Sequence, residues 1–287
     1  MKKIAIIGAG NVGIAAAKAV LESSDMELCG FIRRKTEAVS GFENIPVAKS
    51  VSELPEKPEG AIITVPSRFV EPIEKELLEN GIYTADCFDI HEELVKMKQK
   101  LQSFAEKGKV SCIIGAGWDP GLDSVIRTLM FSAFPKGKIE TNFGPGMSMG
   151  HSAAVKSVHR VRDAVSLTLP LGSGKHMRKI YVAAEENADK AAIEHEILSD
   201  GYFEHDRCSI EFVEDVMPFF DTKHGGFIEN IYGDQKIDFS MKIDNPTLTG
   251  NILASAMGAA FKQKSGAYFM PEIPPCDFCR EEWKKYL

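Results

Sequence analysis

The sequence lacks the features that mark membrane-spanning, secreted and nucleic-acid-binding chains. No segment approaches the roughly 20 consecutive apolar residues that span a bilayer, and the apolar run at residues 4–7 is too short for a signal peptide. The formal charge of −7 is spread along the chain without a long run of one sign, which argues against a nucleic-acid or membrane-surface partner. We therefore expect a cytoplasmic protein that acts on a small molecule.

The cysteines are too scattered to predict a disulfide framework or a metal site. They lie at positions 29, 87, 112, 208, 276 and 279, and we interpret most of them as small buried side chains of a reduced protein. Cys276 and Cys279 form one CxxC pair, but a zinc site needs a second ligand pair, and no neighbouring residues supply it. We predict no bound metal and assign no role to this pair.

A glycine-rich turn near the N-terminus predicts a dinucleotide-binding site. Residues 3–7 have the pattern of a short buried strand, and residues 14–21 have helical apolar spacing. The motif between them allows a tight turn, a close approach of a pyrophosphate, and packing of helix against strand, with the helix N-terminus facing the phosphates. Such a motif also occurs as a plain structural corner, but its position directly after a strand favours the ligand site. The predicted contacts are Gly8, Gly10, Asn11, Val12 and Gly13.

Basic residues follow the second predicted strand, residues 27–32, where NAD-dependent enzymes carry a carboxylate for the ribose hydroxyl. Arg33 and Arg34 stand there instead. Guanidinium groups bind a 2′-phosphate through charge-assisted hydrogen bonds, whereas a carboxylate would repel it. The pattern favours NADP; the alternative is a solvated basic turn.

The rest of the first half alternates predicted strands (60–65, 82–87, 110–114) with predicted helices (70–80, 91–107). This alternation predicts an α/β fold, a Rossmann doubly wound parallel sheet. Ligands of such sheets lie at the carboxyl ends of the strands, so Val65 and Ser67 are added to the predicted cofactor contacts.

The second half of the sequence has a different pattern of predicted elements. Residues 164–169, 179–183, 209–213 and 236–243 are interpreted as strands, residues 193–199 as a helix, and residues 249–261 as a small-residue helix that returns to the first domain. We predict an α+β substrate-binding and dimerisation domain over residues 118–245, with residues 1–117 and 246–287 forming the dinucleotide-binding domain.

Several longer motifs occur in a fixed order. They are Asp86-x-x-Asp89-x-His91, Ala116-Gly-Trp-Asp-Pro-Gly121, Asn142-Phe-Gly-Pro-Gly-Met-Ser-Met-Gly-His-Ser152, Leu167-Thr-Leu-Pro170, His224-Gly-Gly226 and Asp244-Asn-Pro246. In this order, and over nearly the whole chain, they resemble the meso-diaminopimelate dehydrogenase family. Met149 and the short loop after Pro170 resemble the shorter, type II branch of that family.

The resemblance implies an activity. Members oxidise the D-centre of meso-2,6-diaminopimelate with NADP, release ammonia and form L-2-amino-6-oxopimelate (tetrahydrodipicolinate after cyclisation), or run the reverse reductive amination in diaminopimelate and lysine metabolism. It also implies a homodimer. Two alternatives stay open at this point: an NADP-dependent dehydrogenase of another D-amino acid or polar substrate, and a non-catalytic NADPH-binding sensor.

The resemblance also implies roles at the reacting centre. Asp89 and Asp119 match the acidic pair near the reacting amino group, and one of them, or a water they orient, would serve as general base. Trp118 would form a wall beside the nicotinamide. The competing interpretations are a helix cap for Asp89 and core packing for Trp118.

A second set of residues matches the family's substrate contacts. Thr168, Arg178, His224 and Asn245 correspond to the set that binds the distant carboxylate, and Met149 with Gly150 would lie along the substrate backbone. Arg178 can hold a carboxylate with two parallel hydrogen bonds. The competing interpretations are a solvated arginine, a surface-loop histidine and an asparagine that begins a turn.

Overall fold

The computed structural model describes residues 1–285 and 287, and the chain divides into two compact units. Unit 1 comprises Met1–Val125 and Pro246–Leu287, and unit 2 comprises Ile126–Asn245. The segment after residue 117 lies in unit 1 because Leu122 and Val125 pack against the core of that unit. In the described part of the chain, none of the helices has both the length and the apolar character that a membrane crossing requires.

The described residues form thirteen strands and seven α-helices. The strands are β1 (Lys2–Ile7), β2 (Met26–Ile32), β3 (Val47–Ala48), β4 (Gly60–Ile63), β5 (Tyr83–Asp86), β6 (Ser111–Ile114), β7 (Lys138–Met147), β8 (Val161–Gly172), β9 (Lys175–Ala184), β10 (Arg207–Phe212), β11 (Lys223–Tyr232), β12 (Gln235–Asp244) and β13 (Gly266–Phe269). The helices are α1 (Asn11–Leu21), α2 (Val70–Glu79), α3 (Leu94–Gly108), α4 (Leu122–Ala133), α5 (Met149–Lys156), α6 (Lys190–Leu198) and α7 (Asn245–Ala260).

Unit 1 is built on a parallel sheet with the strand order β13-β6-β5-β4-β1-β2-β3. Successive side chains of a strand point to opposite faces, so Ile4 and Ile6 of β1 pack in one core with α1 and α7. Ala5 and Ile7 pack in the other core, with α2 and α3. Helices therefore cover both faces of the sheet, and the predicted doubly wound α/β fold is confirmed.

Unit 2 is built on a mixed sheet with the strand order β10-β9-β8-β7-β11-β12. Only the β9–β10 pair is parallel, and the other neighbours are antiparallel. Val155 of α5 and Ile193 and Ile197 of α6 pack on one face of this sheet with Ile180 of β9. This arrangement confirms the predicted α+β character of the second half.

The structure also contains elements that the sequence pattern did not predict. The segment around residues 142–151, interpreted as polar and glycine-rich, forms most of β7 and the start of α5. Helix α4 and strands β3, β11 and β13 were not predicted either. Helix α7 begins at Asn245, earlier than the predicted start at residue 249.

Candidate active site

The glycine turn between β1 and α1 is held tightly by its own backbone. Gly8 has a φ of +99°, a conformation that favours glycine. A Cβ on Gly13 would lie 2.2 Å from the carbonyl oxygen of Gly8, so no larger residue fits there. Thr64, at the end of β4, donates its hydroxyl to the carbonyl oxygens of Ile7 at 3.0 Å and Gly8 at 3.2 Å. Nothing in the sequence pattern indicated this contribution of Thr64.

The space in front of α1 has the character that an anionic ligand requires. Gly10 is the N-cap residue, its helix start has no side-chain cap, and the first turn carries no acidic residue. A Cβ placed on Gly10 would meet no atom within 4 Å, so the protein does not fill this position. The unsatisfied N–H groups of a helix start attract phosphate. Asn11 and Val12 lie in the first turn, so this turn fits the pyrophosphate of a dinucleotide.

The other predicted cofactor contacts also follow strand ends of unit 1. Arg33 and Arg34 come directly after β2; Arg33 is half-buried and donates its backbone N–H to Ala48 at 3.0 Å, while Arg34 is exposed. Val65 is half-buried just after β4. These residues lie where a doubly wound sheet carries its ligand contacts.

Asp89 is linked to Ser67 rather than to a helix start. The Ser67 hydroxyl donates to Asp89 Oδ1 at 2.6 Å and accepts from the Asp89 backbone N–H at 3.1 Å. The N-cap residue of the short 3-10 helix at His91–Glu93 is Ile90, which provides no side-chain cap. Ser67, which the sequence placed at the cofactor, is buried and joins the ends of β4 and β5.

Beneath this loop lies a fully buried carboxyl pair, Glu74 of α2 and Asp86 of β5. Asp86 Oδ1 accepts from the backbone N–H groups of Phe88 at 2.7 Å and Gly115 at 3.1 Å. Asp86 therefore ties the loop that carries Asp89 to the loop that leads to Trp118. The sequence motif contained Asp86, but nothing in the pattern pointed to this role or to Glu74.

We infer that the two buried carboxyls retain one proton between them near neutral pH. Thr84 donates its hydroxyl to Glu74 Oε1 at 2.5 Å, whereas Glu74 Oε2 and Asp86 Oδ2 are buried without a hydrogen-bond donor among the described residues. Burial, followed by the charge of Asp86, raises the pKa of Glu74 well above its usual range. Burial also raises the pKa of Asp86 to about 6, although the two backbone donors oppose the shift. We assign the proton to Glu74, because Asp86 already has donors for its charge.

Trp118 and Asp119 lie on the loop after β6. Trp118 is 7% exposed, so most of its ring is packed within the protein. The Asp119 carboxylate lies 3.5 Å from Nε2 of His91, and its side chain is 14% exposed. The structure thus gives Asp119 an imidazole neighbour from the same sequence motif that contains Asp89.

In unit 2, three of the residues matched to carboxylate binding lie in one row of the sheet. Thr168 of β8 pairs with Arg178 of β9 and with Gly146 of β7, and Gly146 in turn pairs with His224 of β11. Residues directly opposite one another in antiparallel strands share a face of the sheet. Thr168 and His224 are buried, at 2% and 4% exposure, so the interpretation of His224 as a surface-loop residue is wrong.

Arg178 is held by two side chains. Its Nε donates to Asp206 Oδ2 at 2.5 Å, and its Nη1 donates to the hydroxyl of Thr168. The side chain is 12% exposed, which contradicts the interpretation of a solvated arginine. Asp206 is a site residue that the sequence did not reveal.

His224 is neutral at pH 7. Its Nδ1 lies 2.8 Å from the carbonyl oxygen of Gly225, which can only accept, so Nδ1 carries the hydrogen. Burial lowers the pKa of His224 to about 4, and the charge of Arg178 acts in the same direction, against the hydrogen bond to Gly225. A positive charge on this ring would need a partner such as a bound carboxylate.

The remaining predicted substrate contacts lie at the starts of helices. Asn245 begins α7 and donates its backbone N–H to Thr222 at 3.0 Å. Met149 and Gly150 form the first turn of α5, and both are half-buried. Over the residues with described side chains, no group of three or more His, Cys, Asp or Glu residues could hold a metal ion.

Comparisons with known proteins agree with these two units. The family model described as "Diaminopimelic acid dehydrogenase C-terminal domain" matches residues 117–174, and a CoA-binding domain model matches residues 1–91. The meso-diaminopimelate D-dehydrogenase of Bacteroides fragilis is 38% identical, with 100% of each chain covered.

Solved structures show the same fold. The DAP dehydrogenase of C. glutamicum in complex with DAP has a TM-score of 0.87 at 23% identity and covers 99% of this chain and 97% of its own. An engineered D-amino acid dehydrogenase bound to NADP+ has a TM-score of 0.88 at 22% identity, with 99% and 98% of the two chains covered. With the full-length similarity to a curated relative, these findings show that the chain belongs to the meso-diaminopimelate D-dehydrogenase family.

Proposed function

We propose that this chain is an NADP-dependent dehydrogenase that oxidises the D-centre of meso-2,6-diaminopimelate to L-2-amino-6-oxopimelate and also catalyses the reverse reductive amination. In the oxidative direction the carbon at the D-centre loses a hydride, water replaces its nitrogen, and ammonia leaves. The observation that carries the proposal is the 38% identity to a meso-diaminopimelate D-dehydrogenase over the whole of both chains.

The cofactor proposal rests on unit 1. The open space at Gly10 and the uncapped start of α1 suit the pyrophosphate, and Arg33 with Arg34 suit a 2′-phosphate. When bound, NADP supplies the acceptor for the hydride that leaves the D-centre. Both arginines would bind the 2′-phosphorylated ribose of NADP more strongly than the unphosphorylated ribose of NAD. NADP is therefore the proposed cofactor.

At the reacting centre we propose that Asp89 and Asp119 bind the ammonium group and accept its proton. A carboxylate with a fixed orientation is a better acceptor than a mobile one, and the bond from Ser67 to Asp89 supplies such an orientation. The 7% exposure of Trp118 agrees with a wall that excludes water.

At the distal amino-acid centre we propose that Thr168, Arg178, His224 and Asn245 bind the carboxylate, with Met149 and Gly150 along the substrate backbone. A substrate bound in the reverse orientation would leave charged groups without partners, which selects the D-centre for oxidation. In this proposal Arg178 binds the distal carboxylate of the substrate and does not contact the cofactor. We therefore expect Arg178→Ala to raise the KM for meso-diaminopimelate far more than it changes the KM for NADP.

The test is a panel of amino acids assayed by absorbance of reduced nicotinamide. The purified chain is incubated with NADP or NAD and with meso-, LL- or DD-diaminopimelate, or with simple D- and L-amino acids. We expect reduction of NADP with meso-diaminopimelate and none with the LL isomer. Turnover of other D-amino acids without meso-diaminopimelate would favour a different substrate, and binding of NADPH without any turnover would favour a sensor.

We further propose a cytoplasmic homodimer that forms through unit 2. Phe227 and Ile231 of β11 lie on the same face of the strand and leave 39% and 38% of their surfaces exposed, and exposed apolar groups on a sheet are typical of association surfaces. Light scattering after size-exclusion chromatography would measure the molar mass. A monomer at micromolar concentration would contradict this part of the proposal without affecting the proposed reaction.

A further inference from the structure

The position of the Arg178 guanidinium is set by Asp206, which lies just before β10. Strand β10 runs parallel to β9 with Cys208 opposite Arg178, so Asp206 lies beside the start of β9. Its carboxylate accepts from Nε of Arg178 at 2.5 Å, and the two side chains are only 20% and 12% exposed. Such a partly buried charge pair is screened by water much less than a surface pair.

Two histidines approach the same carboxylate. His176 Nε2 lies 3.4 Å from Asp206 Oδ1, and His151 Nε2 lies 3.6 Å from Oδ2. Burial acts to raise the pKa of Asp206, but the neighbouring His151, His176 and Arg178 side chains hold it well below its usual range. Asp206 is therefore an anion at neutral pH.

The two contacts of Arg178 leave a defined part of its guanidinium available. An arginine side chain carries N–H donors on Nε and on both Nη atoms. Asp206 uses Nε and Thr168 uses one donor of Nη1, so the Nη2 edge remains for a ligand. Bidentate binding of a carboxylate needs a planar fork in a fixed orientation. Asp206 and Thr168 together fix the plane of this fork.

We propose that Asp206 is a positioning residue, which holds Arg178 in the orientation that binds the distal carboxylate of the substrate. This inference rests on the proposed function. Asp206 acts through Arg178 and does not itself contact the substrate. The charge of Asp206 also compensates that of Arg178 when no ligand is bound. The guanidinium therefore keeps its position in the ligand-free protein at low energetic cost.

The same strands supply a matched control. Lys179 of β9 and Glu211 of β10 form an ion pair of 2.7 Å, one residue along the chain from Arg178. Glu211 is 51% exposed, and such surface pairs contribute little. Glu211→Gln removes an ion pair between β9 and β10 without touching Arg178. It therefore measures any general effect of loosening these two strands.

The experiment is a double-mutant cycle on steady-state kinetics with meso-diaminopimelate. Asp206→Asn keeps the shape of the side chain and removes its charge, and we expect it to raise the KM for meso-diaminopimelate about tenfold. The kcat and the KM for NADP should stay within about twofold of wild type. In an Arg178→Ala background the same change should add nothing, because coupled residues are not additive. Asp206→Ser, which shortens the side chain, should give the same pattern.

Three outcomes would overturn the inference. They are an unchanged KM in Asp206→Asn or Asp206→Ser, an undiminished effect in the Arg178→Ala background, and an equal effect of Glu211→Gln. Failure of the proposed function looks different, because the wild-type chain would then not reduce NADP with meso-diaminopimelate at all. Thermal unfolding of each variant separates a loss of substrate binding from a loss of folded protein.

Discussion

Ser67 and Asp89 form a reciprocal pair in which the hydroxyl donates to the carboxylate at 2.6 Å and accepts from the backbone N–H of the same aspartate at 3.1 Å. The contact links a predicted cofactor residue to a predicted catalytic residue. Ser67 was predicted to contact the cofactor, and Asp89 was predicted to act on the substrate. Their contact ties the predicted proton acceptor to the strand end at which the cofactor is expected.

We predict that Ser67→Ala lowers kcat/KM for meso-diaminopimelate about 10-fold to 100-fold. A hydrogen bond to a charged group contributes about 1.5–3 kcal/mol, and here it orients the carboxylate. Steady-state kinetics at saturating NADP would measure the change. In an Asp89→Ala background, Ser67→Ala should have little further effect on turnover. Equal losses in both backgrounds would instead place Ser67 at the cofactor alone.

The first unit could be predicted because its strands are short, buried and separated by amphipathic helices. Residues 3–7 and 60–65 read as continuous apolar runs, and β1 and β4 lie at the centre of the sheet with both faces covered. Parallel strands buried on both faces have this composition. Local pattern and global fold agree for these central strands, so the sequence sufficed for them, whereas the edge strands β3 and β13 were not predicted.

Strands β7 and β11 could not be predicted because their pairing is not local. The β7 segment contains Gly144 and Pro145, and β11 contains Gly225 and Gly226, residues that normally indicate loops. Their ladder joins residues 78 or more positions apart, such as Gly146 and His224. Neither segment carries a local strand signal, so only the tertiary fold makes them strands.

The positioning residues of the site were missed for a related reason. Asp206 stands between His205 and Arg207, and Glu74 between Ile73 and Lys75, and nothing in these stretches marks either residue as buried or partly buried. Asp206 is placed by the register of β10 against β9, and Glu74 by the packing of α2 on β5. The substrate contacts themselves came from the resemblance, whereas these supporting contacts came only from the structure.

We predict different effects for alanine substitutions at two glycines of the first turn: Gly13→Ala should lower stability, and Gly10→Ala should lower the affinity for NADP. Gly13→Ala places a methyl group 2.2 Å from a carbonyl oxygen, and we expect a loss of about 1–3 kcal/mol in the free energy of unfolding. Gly10→Ala meets no protein atom and should cost less than about 1 kcal/mol. Its methyl group would occupy the ligand space instead, so NADP should bind at least about tenfold more weakly. Thermal unfolding and titration with NADP would measure the two effects, and unchanged NADP affinity in Gly10→Ala would contradict the cofactor site.

His224 predicts a loss of stability in mild acid. Its folded pKa of about 4 lies below its ordinary value, so the unfolded chain binds more protons between these values. The contribution of the neutral His224 ring to the free energy of unfolding is fully present above about pH 6.5, and it is lost as the pH falls towards about 4. His224→Gln removes this titration, so its melting temperature should fall less than that of wild type between pH 7 and pH 5. Parallel acid sensitivity of the two proteins would contradict a buried neutral histidine.

The Glu74–Asp86 pair predicts the opposite dependence on pH. The folded pKa of Glu74 is raised by burial and by Asp86, so the folded state retains a proton that the unfolded chain releases. The contribution of Glu74 to the free energy of unfolding is fully present below about pH 4.5, and it is lost as the pH rises through the raised folded-state pKa. Removing the titration at this position should therefore stabilise the protein most in alkaline solution.

Glu74→Gln is the variant that isolates this effect. The amide keeps an oxygen that accepts from Thr84 and offers an N–H to Asp86, but it has no proton to lose. We expect its free energy of unfolding, measured by urea titration, to exceed that of wild type by a margin that grows as the pH rises above about 4.5. Glu74→Leu, the control, leaves Asp86 without this donor and should destabilise the protein at every pH. A constant difference between Glu74→Gln and wild type across this range would show that the pair does not share a proton.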